Sequence, residues 1–215
     1  MTSRLHQFAD AFVARTRDDQ LLTLSEGFIK VRCAEVALGL GWTIQEGAGH
    51  SPYGPVADYA SIRAGRVEWQ RQSRRLKLSE GSADLAVVDP FEMLLEIKAR
   101  PDYGTKSQAQ FQQMDPDVAR VAGNSQCAFL FVFDPKIYLS FSGEKSETRG
   151  RHPAAHHWFV GSFPKTGQLV SDQWITIEAP RNEGSPPICM IARRCSHAYG
   201  DATILVLGWR SDARF

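Results

Sequence analysis

Apolar positions recur at helical spacing near the start of the chain, where Leu5, Phe8, Ala11 or Phe12, and Arg15 follow one face. A second helix is better marked. Ser25 is a capping residue, and Phe28, Val31, Ala34 and Leu38 form the stripe behind it. Gly39 or Gly41 supplies the stop, because glycine tolerates a left-handed cap. Trp42 to Gln45 then reads as a short strand. Two further strands follow, Ala83–Val88 and Met93–Ala99, with the turn signal Asp89-Pro90 between them. Ser107 to Met114 reads as a glutamine-rich helix. Ala128 to Phe133 is an unbroken apolar run, the pattern of a central strand covered on both faces. From Ile137 onward the chain reads mostly as strands and turns. Trp174–Glu178 and Thr203–Trp209 are the clearest strands there.

This pattern predicts an α/β fold in one domain spanning residues 1–215. The core covers about 25–133, an insertion about 46–81, and a β-rich C-terminal extension about 137–215. Composition agrees, since 43% of the 215 residues are hydrophobic and 23% charged, enough apolar chain to bury a core. No apolar run reaches membrane-spanning length and residues 1–17 lack a secretory apolar stretch, so the expectation is a soluble, cytoplasmic protein. Net charge is +1, which argues against a uniformly basic nucleic-acid coat. Charge is concentrated locally instead. Arg63, Arg66, Arg71, Arg74, Arg75 and Lys77 stand against the single acid Glu68 within the insertion.

The chemistry lies in the two strands around Asp89-Pro90. Asp84, Glu96 and Lys98 are charged residues inside otherwise apolar segments, where charge costs free energy unless it is paired or binds metal. Glu96 and Lys98 are two apart and share a strand face. A hairpin with the three-residue loop Pro90-Phe91-Glu92 pairs Asp89 with Met93, Ala86 with Glu96 and Asp84 with Lys98. All three charges then lie on one face at one end. A loop of even length would send Asp84 to the other face. Two carboxylates and an ammonium suit phosphodiester hydrolysis. The carboxylates can hold Mg2+, a hard ion that favours oxygen, and the ammonium can orient the attacking water and stabilise developing charge.

Aspartate at the head of one strand and Glu96-Ile97-Lys98 at the end of the next resemble the PD-(D/E)XK nuclease superfamily, the restriction-endonuclease-like fold. The resemblance covers roughly Ser25 to Phe133 in the order helix, three strands, helix, strand, and Ala83 stands where the motif's name has proline. It implies Asp84 and Glu96 as metal ligands, the Ile97 carbonyl as a third, and Lys98 as the catalytic lysine. It also implies a glutamate from the first core helix, with two candidates. Glu26 lies in the helix half nearer the site, whereas Glu35 falls within the apolar stripe. Gln108 and Gln112, one turn apart on the next helix, and Lys106 before it are candidates for contact with the substrate phosphate. Arg66, Arg71, Arg74, Arg75 and Lys77 are candidates for contact with nucleic acid.

The reading is a Mg2+-dependent DNA endonuclease, with Mn2+ able to substitute. Its leading form is type II restriction-like, acting on double-stranded DNA as a homodimer. Repair, phage-defence or mobile-element nucleases are the alternatives, together with an inactive nucleic-acid-binding protein of the same fold. Two other constellations are weaker. Asp134-Pro135-Lys136 repeats the acid-x-Lys pattern, but proline interrupts it and it reads as a strand end and turn. His152, His156, His157 and His197 with Cys189 and Cys195 match no strong zinc spacing. Cys33 and Cys127 read as buried apolar residues.

Overall fold

A computed structural model describes residues 3–19, 26–46, 84–99, 118, 121–142, 144, 162–179, 186–196 and 202–215. Helix α1 (Arg4–Thr16) is capped by Ser3, whose side chain accepts the His6 N–H. It buries Leu5, Phe8, Ala9 and Phe12, the stripe expected from the spacing. Helix α2 (Glu26–Gly39) is more deeply buried than its stripe implied. Ile29, Cys33, Val36 and Ala37 join Val31 and Ala34 in the interior, while Phe28 and Leu38 sit at the margin. Gly41 ends it at φ +76°, with Gly41 N–H donating to Leu38 C=O and Trp42 N–H to Ala37 C=O. That pair of bonds is the Schellman closure, and the left-handed φ explains the glycine.

Strands β1 (Thr43–Glu46), β2 (Leu85–Asp89), β3 (Met93–Ala99), β4 (Cys127–Phe133), β5 (Ile175–Ala179), β6 (Ile188–Ser196) and β7 (Ala202–Arg210) form one seven-stranded sheet. Its order is β1-β2-β3-β4-β7-β6-β5. β1, β2 and β3 are an antiparallel meander, β4 runs parallel to β3, and β7, β6 and β5 continue antiparallel. The fold is therefore α/β with a mixed sheet. The C-terminal strands extend this same sheet.

Both faces of the sheet are covered. Leu85, Val87, Leu95, Ile97, Leu130, Leu205 and Leu207 pack on one face with α1 and α2. Ala86, Leu94, Phe129, Phe131, Phe133 and Val206 pack on the other with Val118, Val121 and Tyr138. β4 lies between the two and is buried at every position, which accounts for its unbroken apolar sequence. Gly208 pairs with Phe129 across β4 and β7, and the aromatic ring occupies the space a Cβ would need, 2.2–2.8 Å away.

Three expectations are corrected. Ile137 does not begin a β-rich tail, because Pro135–Phe141 is a short helix, α3. Asp134 caps it by accepting the Lys136 and Ile137 N–H groups, and Pro135 fits the first turn, where no N–H partner is needed. The Asp134-Pro135-Lys136 sequence is thus a helix start. β6 is a full strand that periodicity did not single out. The hairpin register is also shifted. Val87 pairs with Met93, Ala86 with Leu94 and Leu85 with Leu95. Asp89 is instead engaged by Thr43 of β1, so the turn into β3 leaves from Val87. The expected helix Ser107–Met114, the cap Ser25 and residues 47–81 of the insertion lie outside the described residues. Among the described residues no helix is long and apolar enough to cross a membrane.

Candidate functional site

The shift of register is by two residues, so it preserves parity. Side chains alternate along a strand, and a shift of two returns each one to its own face. The observed pairing ends at Leu85–Leu95, so Asp84 lies just before β2 and outside the ladder, and the expected pairing of Asp84 with Lys98 does not form. Leu94 belongs to the second core cluster, which fixes the face that Glu96 and Lys98 share, whereas Asp84 contacts Lys30 of α2, a helix packed on the other face. Glu96 is buried, at 3% exposure, and Lys98 is half-buried. The structure thus keeps Glu96 and Lys98 on one strand face and joins Asp84 to the same segment through the Ile97 N–H.

Asp84 is held tightly. Its Oδ2 accepts the Ile97 N–H at 2.8 Å. Its Oδ1 meets Lys30 Nζ at 2.7 Å. Both side chains are largely covered, with 8% of Asp84 and 14% of Lys30 exposed. The N–H and C=O of a strand residue project to the same side, so the Ile97 carbonyl also lies on the Asp84 edge of β3.

Lys30 comes from α2, which packs against the sheet face opposite Glu96. One helical turn earlier Glu26 holds the same ammonium at 3.0 Å. Glu26 and Asp84 are thus joined through one buried cation. Burial pulls the Lys30 pKa down, but the hydrogen bond and charge of Asp84, then those of Glu26, outweigh it and leave the pKa raised. Lys30 was not singled out from the sequence. The Glu26–Lys30 spacing of four was visible as a helix ion pair, but nothing local linked it to Asp84.

Glu35 has a different explanation. It pairs with Arg15 and Arg32, each at 2.8 Å, which accounts for a half-buried carboxylate in an apolar stripe. Arg32 also grips Asp19, so this cluster ties α2 to the segment after α1.

The carboxylates gathered at Lys30 are those of Asp84 and Glu26, and the Ile97 backbone is bonded to Asp84. The Cys33 thiol lies near Asp84 but stays protonated, because burial and then the Asp84 charge push its pKa well up. A hard divalent cation fits this set better than a soft one. Among the described residues no three His, Cys, Asp or Glu side chains gather closely enough to hold a metal. Any such site here would draw on the Asp84 and Glu96 carboxylates, the Ile97 carbonyl and water.

The zinc alternative does not survive for its two cysteines. Cys189 and Cys195 are six residues apart on one extended strand, roughly 20 Å, too far to share an ion. Burial raises the pKa of both, pushing Cys195 up to about 12. His152, His156, His157 and His197 lie outside the described residues, as do Arg66, Arg71, Arg74, Arg75, Lys77, Lys106, Gln108 and Gln112.

A separate cleft of about 650 Å3 opens between the end of α1 and β6, lined among others by Asp10, Arg17, Asp172, Arg193 and Ser196. Its charges balance, and its acids already have donors. Asp10 accepts the Trp174 indole N–H, and Asp172 accepts the Ser196 N–H. It lies on the opposite sheet face from Glu96.

No protein-family model, no curated protein and no solved structure matches the chain.

Proposed function

We propose that this chain is a metal-dependent DNA endonuclease with a restriction-endonuclease-like core, hydrolysing phosphodiester bonds. The observation that carries the reading is the bond from the Ile97 N–H to Asp84, which ties the acid before β2 to the strand on which Glu96 and Lys98 share one face. The strand order supports it too: an antiparallel meander followed by a strand parallel to β3 keeps the sequence motif at one end of the sheet.

Asp84, Glu96 and the Ile97 carbonyl would hold Mg2+ or Mn2+. When bound, the ion supplies Lewis-acid polarisation of a phosphate and a more acidic water. The chain's own contributions are separate. The Lys98 ammonium orients the attacking water and stabilises charge gathering on the phosphoryl oxygens. The Ile97 N–H fixes the rotation of the Asp84 carboxylate. Burial of Glu96 limits its motion and strengthens local electrostatics. Double-stranded DNA is the substrate, with the basic insertion containing Arg66, Arg71, Arg74, Arg75 and Lys77 as its phosphate-binding element and Lys106, Gln108 and Gln112 near the scissile bond. A type II-like homodimer matches a two-fold duplex site. Repair or defence nucleases share the same chemistry.

The test is cleavage of mixed plasmid and phage DNA with Mg2+, comparing the wild type with Asp84→Ala and Lys98→Ala. Discrete bands lost in both variants support a sequence-specific nuclease. Smearing or nicking lost in both supports a nuclease of other selectivity. Absence of cleavage on plain, methylated, branched and single-stranded DNA overturns the reading.

One observation favours a second reading, an inactive nucleic-acid-binding protein of the same fold. Lys30 already neutralises Asp84, as a purely structural ion pair would. Metal titration separates the two, since a structural pair binds no Mn2+ through Asp84.

A further inference from the structure

From the geometry around Asp84 we infer that Lys30 is the resident counter-ion of the metal site: its ammonium occupies the Asp84 oxygen a divalent cation requires, and the cation enters by displacing it onto Glu26. This rests on the metal-site reading above.

Asp84 has two carboxylate oxygens. Oδ2 is committed to the Ile97 N–H at 2.8 Å. Lys30 Nζ stands on Oδ1 at 2.7 Å, so a metal binding through that oxygen meets the ammonium. Two cations sharing one oxygen repel strongly where little water screens them, and only 8% of Asp84 and 14% of Lys30 is exposed. A full withdrawal of Lys30 into an uncharged environment would strand a buried charge. Glu26 removes that obstacle. It holds the same ammonium at 3.0 Å from one turn back on the same helix and is itself more exposed, at 32%. Lys30 can therefore leave Asp84 while its charge stays paired.

The arrangement also serves the metal-free protein. A largely buried carboxylate without a counter-ion is costly, and the ammonium keeps Asp84 neutralised and oriented. Lys30 is thus a positioning residue that sets the threshold at which metal binds.

Mn2+ titration followed by electron paramagnetic resonance tests this on the full chain, with thermal unfolding in parallel. Lys30→Met removes the competing charge and is expected to bind Mn2+ about tenfold more tightly than the wild type. Mn2+ is expected to raise its unfolding temperature by more than that of the wild type. Adding Asp84→Asn must abolish the tight binding. Lys30→Gln, which keeps hydrogen bonding without charge, replaces Lys30→Met if that variant fails to fold. Wild-type binding through Asp84 with no tightening in the Lys30 variant overturns the inference alone. Absence of Asp84-dependent binding in both proteins overturns the metal-site reading, and this inference with it.

Discussion

The Asp84 carboxylate accepts the backbone N–H of Ile97 at 2.8 Å, joining the acid that precedes β2 to the middle residue of Glu96-Ile97-Lys98. A side chain and a backbone group from the two halves of the motif are therefore bonded directly. The partners of Asp84 make its removal a structural as well as a chemical change. Asp84→Ala leaves the Lys30 ammonium short of a partner and the Ile97 N–H without its acceptor. It is expected to cost about 2–4 kcal/mol in urea unfolding and to abolish cleavage. Asp84→Asn keeps an acceptor for Ile97 and should recover part of the stability without the activity.

Lys98 is half-buried, so its loss separates chemistry from folding. Lys98→Ala is expected to lower the cleavage rate by about 10²–10⁴-fold, the range for a positioned proton-transfer or charge-stabilising group. Its urea midpoint should stay close to the wild type. A large loss of stability with unaltered cleavage would count against its assigned role.

Asp134 provides the control, because it carries the rival acid-x-Lys sequence. It caps α3 through the Lys136 and Ile137 N–H groups. Asp134→Ala should destabilise the protein by about 0.5–2 kcal/mol, as other lost caps do, and leave the turnover of the folded protein unchanged. Measuring both in one preparation checks which acid-x-Lys sequence is the functional one.

Gly208 is required by the Phe129 ring across the sheet. A Cβ built there falls 2.2–2.8 Å from ring atoms, and the ring stacks on Phe131 with centroids 4.3 Å apart, so it has little room to give. Gly208→Ala is expected to lose about 1–3 kcal/mol by overpacking. Adding Phe129→Leu should recover part of the loss, which a double-mutant cycle in urea would read as coupling.

Tyr138 gives a pH dependence with a definite sign. Its hydroxyl donates to the Pro164 carbonyl at 2.9 Å, and burial, then the Glu144 charge, raises the phenol pKa above its ordinary 10.0. A raised folded-state pKa stabilises fully below the unfolded value, and that contribution is lost progressively as pH rises beyond it. The wild type should therefore lose stability above about pH 10. Tyr138→Phe should show less of this alkaline loss and be about 0.5–1.5 kcal/mol less stable at neutral pH.

Local pattern alone determined much of this protein. The apolar spacing of Leu5, Phe8 and Phe12 marks α1, and the Gly41 stop marks the end of α2. The unbroken run of β4 marks a strand covered on both faces. Parity alone put Glu96 and Lys98 on one face of β3, because a strand repeats every two residues whichever exact register is adopted. These features depend on neighbours in sequence, so sequence carries them.

What tertiary structure decided depends on partners far along the chain. Thr43 of β1 pairs with Asp89, and the β2–β3 ladder runs from Val87–Met93 to Leu85–Leu95, ending before Asp84. β6 carries Arg193 and Arg194 in its interior, which blurs its alternation, and only pairing on both sides with β5 and β7 makes it a strand. Asp134-Pro135 suits a turn or a helix start equally well by composition, and the packing of Tyr138 against Phe133 and Phe163 selects the helix. Lys30 is the clearest case. Its ion pair with Glu26 is local, but its bond to Asp84 spans a long stretch of sequence and exists only because α2 packs against β1, β2 and β3. A pairwise charge contact of that kind has no period and no spacing, and only the packed fold brings it into being.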